Sequence, residues 1–136
     1  MRILIIDGQG GRIGRALIEA ALKELPEAEV AAIGTNAIAT SNMLKSGVNE
    51  AATGEYPVVL NAPKADFILG PVGIIAAGSL MGEVTPEMAR AVGLSVAKKV
   101  LVPMNRCETL IAGMPDTPVG ELVKSAVEMV KREVKR

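Results

Sequence analysis

The chain has 136 residues, 49% of them hydrophobic and 22% charged, with fifteen basic side chains against fifteen acidic ones. That length holds one domain with an adequate core, spanning residues 1–136, and the composition is that of a globular protein. A net charge of zero, one Tyr, one Phe and no Trp exclude the basic field and the stacking platforms that nucleic acid or a membrane surface would require.

The absence of His removes Ser-His and Cys-His relays and imidazole metal sites. The lone Cys107 excludes an internal disulfide and a thiolate metal cluster, and it fits a reducing compartment. The N-terminus enters a strand directly, without the pattern of a signal peptide. Residues Phe67 to Gly82 form the longest uncharged stretch, but Gly70, Pro71, Gly73 and Gly78 interrupt it, so no membrane span is expected. A cytoplasmic protein is the expectation.

The first element is Arg2-Ile-Leu-Ile-Ile-Asp7, an apolar run of strand length. It meets Gly8-Gln9-Gly10-Gly11-Arg12-Ile13-Gly14, and a helical pattern follows at once. Strand, glycine turn and helix in that order open a Rossmann-type unit. The spacing is G-x-x-G-x-x-G at 8, 11 and 14, with Gly10 an extra glycine. Bare backbone N–H groups and the partial positive charge of a helix N-terminus suit a phosphate at residues 8–14. The bland alternative is a turn that only packs strand against helix.

Ile13, Leu17, Ala21 and Leu25 share one face of the first helix, which Pro26 ends. Glu29 to Gly34 is a second strand ending in Thr35-Asn36, and a helix with Met43 and Leu44 runs to Gly47. Val48 to Ala52 reads as a short third strand. Thr53 to Pro57 could cap a helix reaching about Pro63, and Val58-Val59-Leu60 could equally be a strand. Spacing decides for the helix, because Ala65 to Gly70 is a buried strand and a parallel predecessor needs a crossover. Gly70-Pro71-Val72-Gly73 turns into an evenly apolar segment ending at Met81. Thr85-Pro86-Glu87 starts a helix that ends near Gly93, and Lys98 to Pro103 is the fifth strand. Met104 to Cys107 is too short for a crossover, so Glu108 to Gly113 is expected to return antiparallel at the edge. The last helix starts at Pro115 to Pro118, with an apolar stripe from Val119 to Val134.

These elements predict an α/β fold: a three-layer, doubly wound, mostly parallel, Rossmann-like sheet in the order 3-2-1-4-5, with an antiparallel edge strand. The glycine loop, Gly34-Thr35-Asn36, Thr53-Gly54-Glu55, Gly70-Pro71-Val72-Gly73 and Asn105-Arg106-Cys107 would gather at the carboxyl edge, where ligands bind in such sheets. An evenly apolar segment from Val72 to Met81 would need a cover, and a homodimer supplies one.

Asp7 closes the first strand, to face ribose hydroxyls or Mg²⁺, or else to be held by nearby backbone N–H groups. NAD enzymes usually keep an acid after the second strand, but Thr35 and Asn36 are neutral. With Arg12 near, that favours NADP over NAD; alternatively Thr35 and Asn36 only cap the next helix. Arg106, with Asn105 beside it in the hairpin, is the best anion clamp in the chain, or else a plain surface arginine. Cys107 lacks a histidine to activate it. Lys64, Glu55, Asn61 and Glu83 read first as solvated or capping residues.

The loop Gly8-Gln-Gly-Gly11-Arg12-Ile-Gly14 resembles the G-x-x-G-R-x-G loop of dihydrodipicolinate reductase and related NAD(P)-binding proteins, over about the first 36 residues. The resemblance implies a pyrophosphate over residues 9–14 and an adenosine ribose near Thr35. That family's catalytic domain has no counterpart here.

The whole chain is also similar to a family of small uncharacterised bacterial proteins, a domain of unknown function. That likeness lies in Gly34-Thr-Asn-Ala-Ile-Ala-Thr40, Gly70-Pro-Val-Gly-Ile74, Gly82-Glu-Val-Thr-Pro-Glu-Met88 and Pro103-Met-Asn-Arg-Cys107. Three functions are open to such a chain: a sensor binding NADP, NAD, coenzyme A or another adenine nucleotide; a small NADP-dependent oxidoreductase completed across a dimer; or an interaction protein that leaves the site unused.

Overall fold

The computed structural model describes residues 1–103 and 109–136. The expectations for Asn105, Arg106 and Cys107 lie outside the described residues. Five strands form the sheet: β1 (Arg2–Asp7), β2 (Glu29–Gly34), β3 (Glu50–Thr53), β4 (Phe67–Pro71) and β5 (Lys98–Val102). Their order is β3-β2-β1-β4-β5, as the crossover lengths predict, and every pairing is parallel.

Helices α1 (Arg12–Glu24), α2 (Ala37–Leu44), α3 (Glu55–Asn61), α4 (Pro86–Leu94) and α5 (Val119–Val134) cover its two faces. Side chains alternate along β1, yet both faces are buried, as a parallel sheet between helices requires. Ile3 and Ile5 pack with Leu17 and Ile18 of α1, Met43 of α2 and Val123, Ala126 and Val130 of α5. Leu4 and Ile6 pack on the other face with Val58 of α3 and Met88, Ala89 and Val92 of α4.

The spacing argument for a helix after β3 holds, although Gly54 rather than a hydroxyl precedes its first turn. Thr53 instead pairs its hydroxyl with that of Thr40 at 2.7 Å. Thr85 caps α4 as its sequence predicts, with Oγ1 accepting the Met88 N–H at 3.1 Å.

Two expectations are corrected. No antiparallel strand forms over Thr109–Gly113. A short connection after β5 excludes a crossover strand but does not force a hairpin. Residues 109–118 form no strand or helix before α5, which packs back on α1 and β5. The evenly apolar segment after β4, expected to need a cover along its length, is partly covered. It makes one 3-10 turn at Val72–Ile75 and then irregular turns, with Ile74 and Leu80 buried in the core and Met81 96% exposed. The chain itself covers Gly73, Ile74 and Leu80, whereas Ile75, Ala77 and Met81 stay exposed.

Candidate functional site

The glycine turn follows β1 and ends at Gly11, which precedes α1 in the left-handed region at φ 71. The turn closes through the Gly11 N–H to Gly8 O at 2.9 Å. Three of its glycines are demanded by neighbours. A Cβ on Gly8 would stand 2.5 Å from Thr35 Oγ1, one on Gly11 2.6 Å from Ala39 O, and one on Gly14 2.5 Å from Met43 Sδ. Gly10 differs: a Cβ there meets nothing within 4 Å, and its φ is not in the left-handed region.

Asp7 is 4% exposed, beneath this turn. Its Oδ1 accepts the Gly8 N–H and its Oδ2 the Gly14 N–H, both at 2.7 Å. Burial pushes its carboxyl above the ordinary value of 3.8, against the opposing pull of the Gly14, Gly8 and Ile13 N–H groups. The backbone alternative for Asp7 is therefore the observed one, and its oxygens are engaged inward. Among the described residues, the N–H groups of Gly10 and Arg12 have no hydrogen-bond partner, and the exposed Arg12 guanidinium has no ion pair.

A cavity of about 540 Å³ opens on this turn, lined by Asp7 to Ile13 together with Pro71, Leu80 and Val119. That volume is within the range of small-molecule clefts, about 300–1,000 Å³. Its walls follow β1 and β4, the neighbouring strands from which the chain winds in opposite directions, so it occupies the switch point of the sheet.

The expected site residues divide accordingly. Gly8, Gln9, Gly10, Gly11, Arg12, Ile13 and Pro71 come together at the cavity. Gly14 lies just below, its N–H given to Asp7. Gly70 is buried where β4 passes close to the Ile6 carbonyl, a packing position. Thr35 and Asn36 are not part of the lining, and their side chains are already engaged. Asn36 caps α2 by accepting the Ala39 N–H at 2.8 Å. Thr35 Oγ1 and Asn36 Nδ2 both donate to Glu83 Oε1, at 2.7 and 2.8 Å. The open ground for a 2′-phosphate inferred from two neutral residues is thus occupied by a carboxylate.

Glu83 is the residue that sequence reasoning passed over as solvated. Its Oε1 also accepts the Gln9 N–H at 2.8 Å, so one carboxylate oxygen ties together the loops after β1, β2 and β4. Burial opposes its charge, but the donors Thr35, Gln9 and Asn36 together hold the carboxyl below its ordinary 4.5. The available signal was length: residues 76–85 connect Ile75 to α4 with no regular structure, and with the 3-10 turn the loop exceeds ordinary connections. Its tip holds Leu80 at φ 55 and Met81 at φ 56, and Gln9 across from it has φ 49. A left-handed side-chain-bearing residue costs about 1–2 kcal/mol, and such strain clusters at functional sites. Asn42 was missed as well. From α2 it donates to Gly10 O at 2.9 Å and accepts from Arg15 at 3.1 Å, bracing the exposed part of the turn.

An open parallel sheet of five strands, helices on both faces and a glycine turn at the switch point define a Rossmann- or flavodoxin-like α/β protein. Residues 2–135 match the family described as domain of unknown function (DUF3842), and the chain belongs to that family. Among curated proteins there is no match.

Two solved structures are similar in fold. One is a dodecameric FMN-dependent UbiX-like decarboxylase from Escherichia coli O157:H7, at 18% identity and TM-score 0.57 over 100% of this chain and 96% of that one. The other is AibC, at 14% identity and TM-score 0.51 over 96% of this chain and 42% of that one. Among the described residues, no helix is long and apolar enough to cross a membrane, and no cluster of three or more His, Cys, Asp or Glu could hold a metal ion.

Proposed function

We propose that this chain binds a phosphorylated ligand of the nucleotide class at the switch-point cavity. The phosphate lies against the N–H groups of Gly10 and Arg12, with the Arg12 guanidinium beside it. One observation carries the reading. Gly8, Gly11 and Gly14 are accounted for by packing, whereas Gly10 lines the cavity with neither a steric neighbour nor a left-handed φ to require it. Bare backbone facing a cavity at a helix N-terminus permits the close approach of an anion.

NADP loses the support it had from Thr35 and Asn36, because Glu83 puts negative charge on both side chains. The ligand body has room toward Pro71, Leu80 and Val119 instead. A mononucleotide suits that space better than NADP or NAD; FMN, present in the name of the similar decarboxylase, and AMP are both of this type. A homodimer belongs to the proposal on the strength of Met81 and Leu110, which are 96% and 87% exposed at the same edge. Sedimentation of a monomer at micromolar concentration would remove the dimer.

Calorimetry with FMN, AMP, ATP, coenzyme A, NAD and NADP tests the ligand. Gly10→Asp adds its side chain to open space, so folding is retained, while binding falls by roughly tenfold or more through loss of a charged contact. Binding by none of these compounds, or binding that survives Gly10→Asp, would overturn the reading.

A further inference from the structure

The connection from β4 to α4 forms a strap across the carboxyl edge. Its tip is closed on itself by the Gly78 N–H to Val84 O at 2.8 Å and the Gly82 N–H to Gly78 O at 3.0 Å. Beyond its tip, Glu83 Oε1 receives Gln9 N–H, Thr35 Oγ1 and Asn36 Nδ2 within 2.8 Å. Leu80, 8% exposed, turns inward and forms a wall of the cavity. A Cβ on Gly8 would stand 2.7 Å from Leu80 Cδ1 and 2.9 Å from Glu83 Oε1, so the strap lies hard against the glycine turn. Among the described residues, the non-glycine positions of positive φ are Gln9, Leu80 and Met81, all on the strap tip or on the turn it clasps.

We propose that Glu83 and Leu80 determine the ligand class: the latched strap fills the ground between the glycine turn and the end of β2, admitting a mononucleotide and excluding a dinucleotide. This rests on the phosphate-binding reading above. A dinucleotide straddles the switch point of an open α/β sheet, with one nucleoside on either side. Here the β4 side is open, toward Pro71 and Val119, and the β2 side is closed. Thr35 and Asn36 would have to serve an adenosine, but both are bonded to Glu83. Glu83 acts by position, as the acceptor that holds the strap to Gln9, Thr35 and Asn36, and touches no reacting atom.

The experiment is calorimetry of AMP, FMN and NAD with the full chain and three variants, read as the ratio of NAD to mononucleotide affinity. The unaltered chain is expected to favour AMP or FMN over NAD by about tenfold or more. Glu83→Ala removes the acceptor of all three bonds and should raise that ratio by roughly tenfold, whereas Glu83→Gln keeps an acceptor oxygen and the exclusion. Leu80→Gly relieves a positive φ while removing the wall, so it should also raise the ratio, and it decides the matter if Glu83→Ala does not fold.

A ratio unchanged in Glu83→Ala and Leu80→Gly, with mononucleotide still bound, overturns this assignment and leaves phosphate binding intact. NAD bound by the unaltered chain as tightly as AMP overturns it too. Failure to bind any of the three overturns both readings.

Discussion

Gly11 and Gly10 are neighbours in one turn, and the structure assigns them opposite sensitivities. In Gly11→Ala the new Cβ sits at φ 71, 2.6 Å from Ala39 O and 2.9 Å from Ala39 Cα. The left-handed backbone costs an L-residue about 1–2 kcal/mol. The overlap is with backbone, so α2 must shift, at about 1–3 kcal/mol for an overpacked site. That shift is resisted, because Ala39 is fully buried and its N–H is held by Asn36 Oδ1 at 2.8 Å.

The two effects together come to roughly 2–5 kcal/mol, a large part of the ~5–15 kcal/mol that stabilises a domain. Gly10→Ala meets open space and no left-handed φ, so its effect should stay within about 1 kcal/mol of zero, with slight stabilisation favoured by the stiffer unfolded chain. Urea denaturation without ligand reads both as shifts in midpoint at constant slope. Equal losses in the two variants would refute the view that Gly10 is free of packing. A neutral Gly11→Ala would show that the turn is not seated on α2.

Asp7 should leave a signature in the pH dependence of stability. Its folded carboxyl is raised above 3.8 by burial, so the native state binds its proton more firmly than the unfolded chain does. Its contribution is fully present below the unfolded value and is lost as pH rises through the folded one. Urea midpoints of the unaltered chain minus those of Asp7→Asn should therefore fall with rising pH in that window; a rising difference would refute the sign. Thr85→Ala removes the α4 cap and should cost about 0.5–2 kcal/mol in thermal or urea unfolding, with Thr85→Ser restoring most of it. Asn42→Ala deletes the bonds to Gly10 O and Arg15 and should cost about 1 kcal/mol, with weaker ligand binding by calorimetry from a looser turn.

The fold was legible because its signals are local and repeated. The apolar run of β1, the glycine turn and the spacing of Leu17 and Ala21 place strand and helix without reference to the rest of the chain. Crossover length then requires a helix between β3 and β4, and parallel winding does the rest. The antiparallel edge failed because a short connection limits the next segment without dictating its path. Along the apolar run after β4 periodicity carries no information, so only the packing separates Ile74, 1% exposed, from Met81, 96% exposed.

Sheet order, the position of the glycine turn at the carboxyl edge and the helix after it were all readable from the linear chain. They depend on covalent spacing, hydrophobic period and backbone freedom, which a chain displays without folding. Which glycines serve packing and which face the cavity emerged with the tertiary contacts, since that depends on Ala39 and Met43, some thirty residues away. The same holds for Thr35 and Asn36, which bond to Glu83 across 48 and 47 residues of sequence. A carboxylate on a long irregular loop has no periodicity to announce its partners; its role comes from three loops converging at one oxygen.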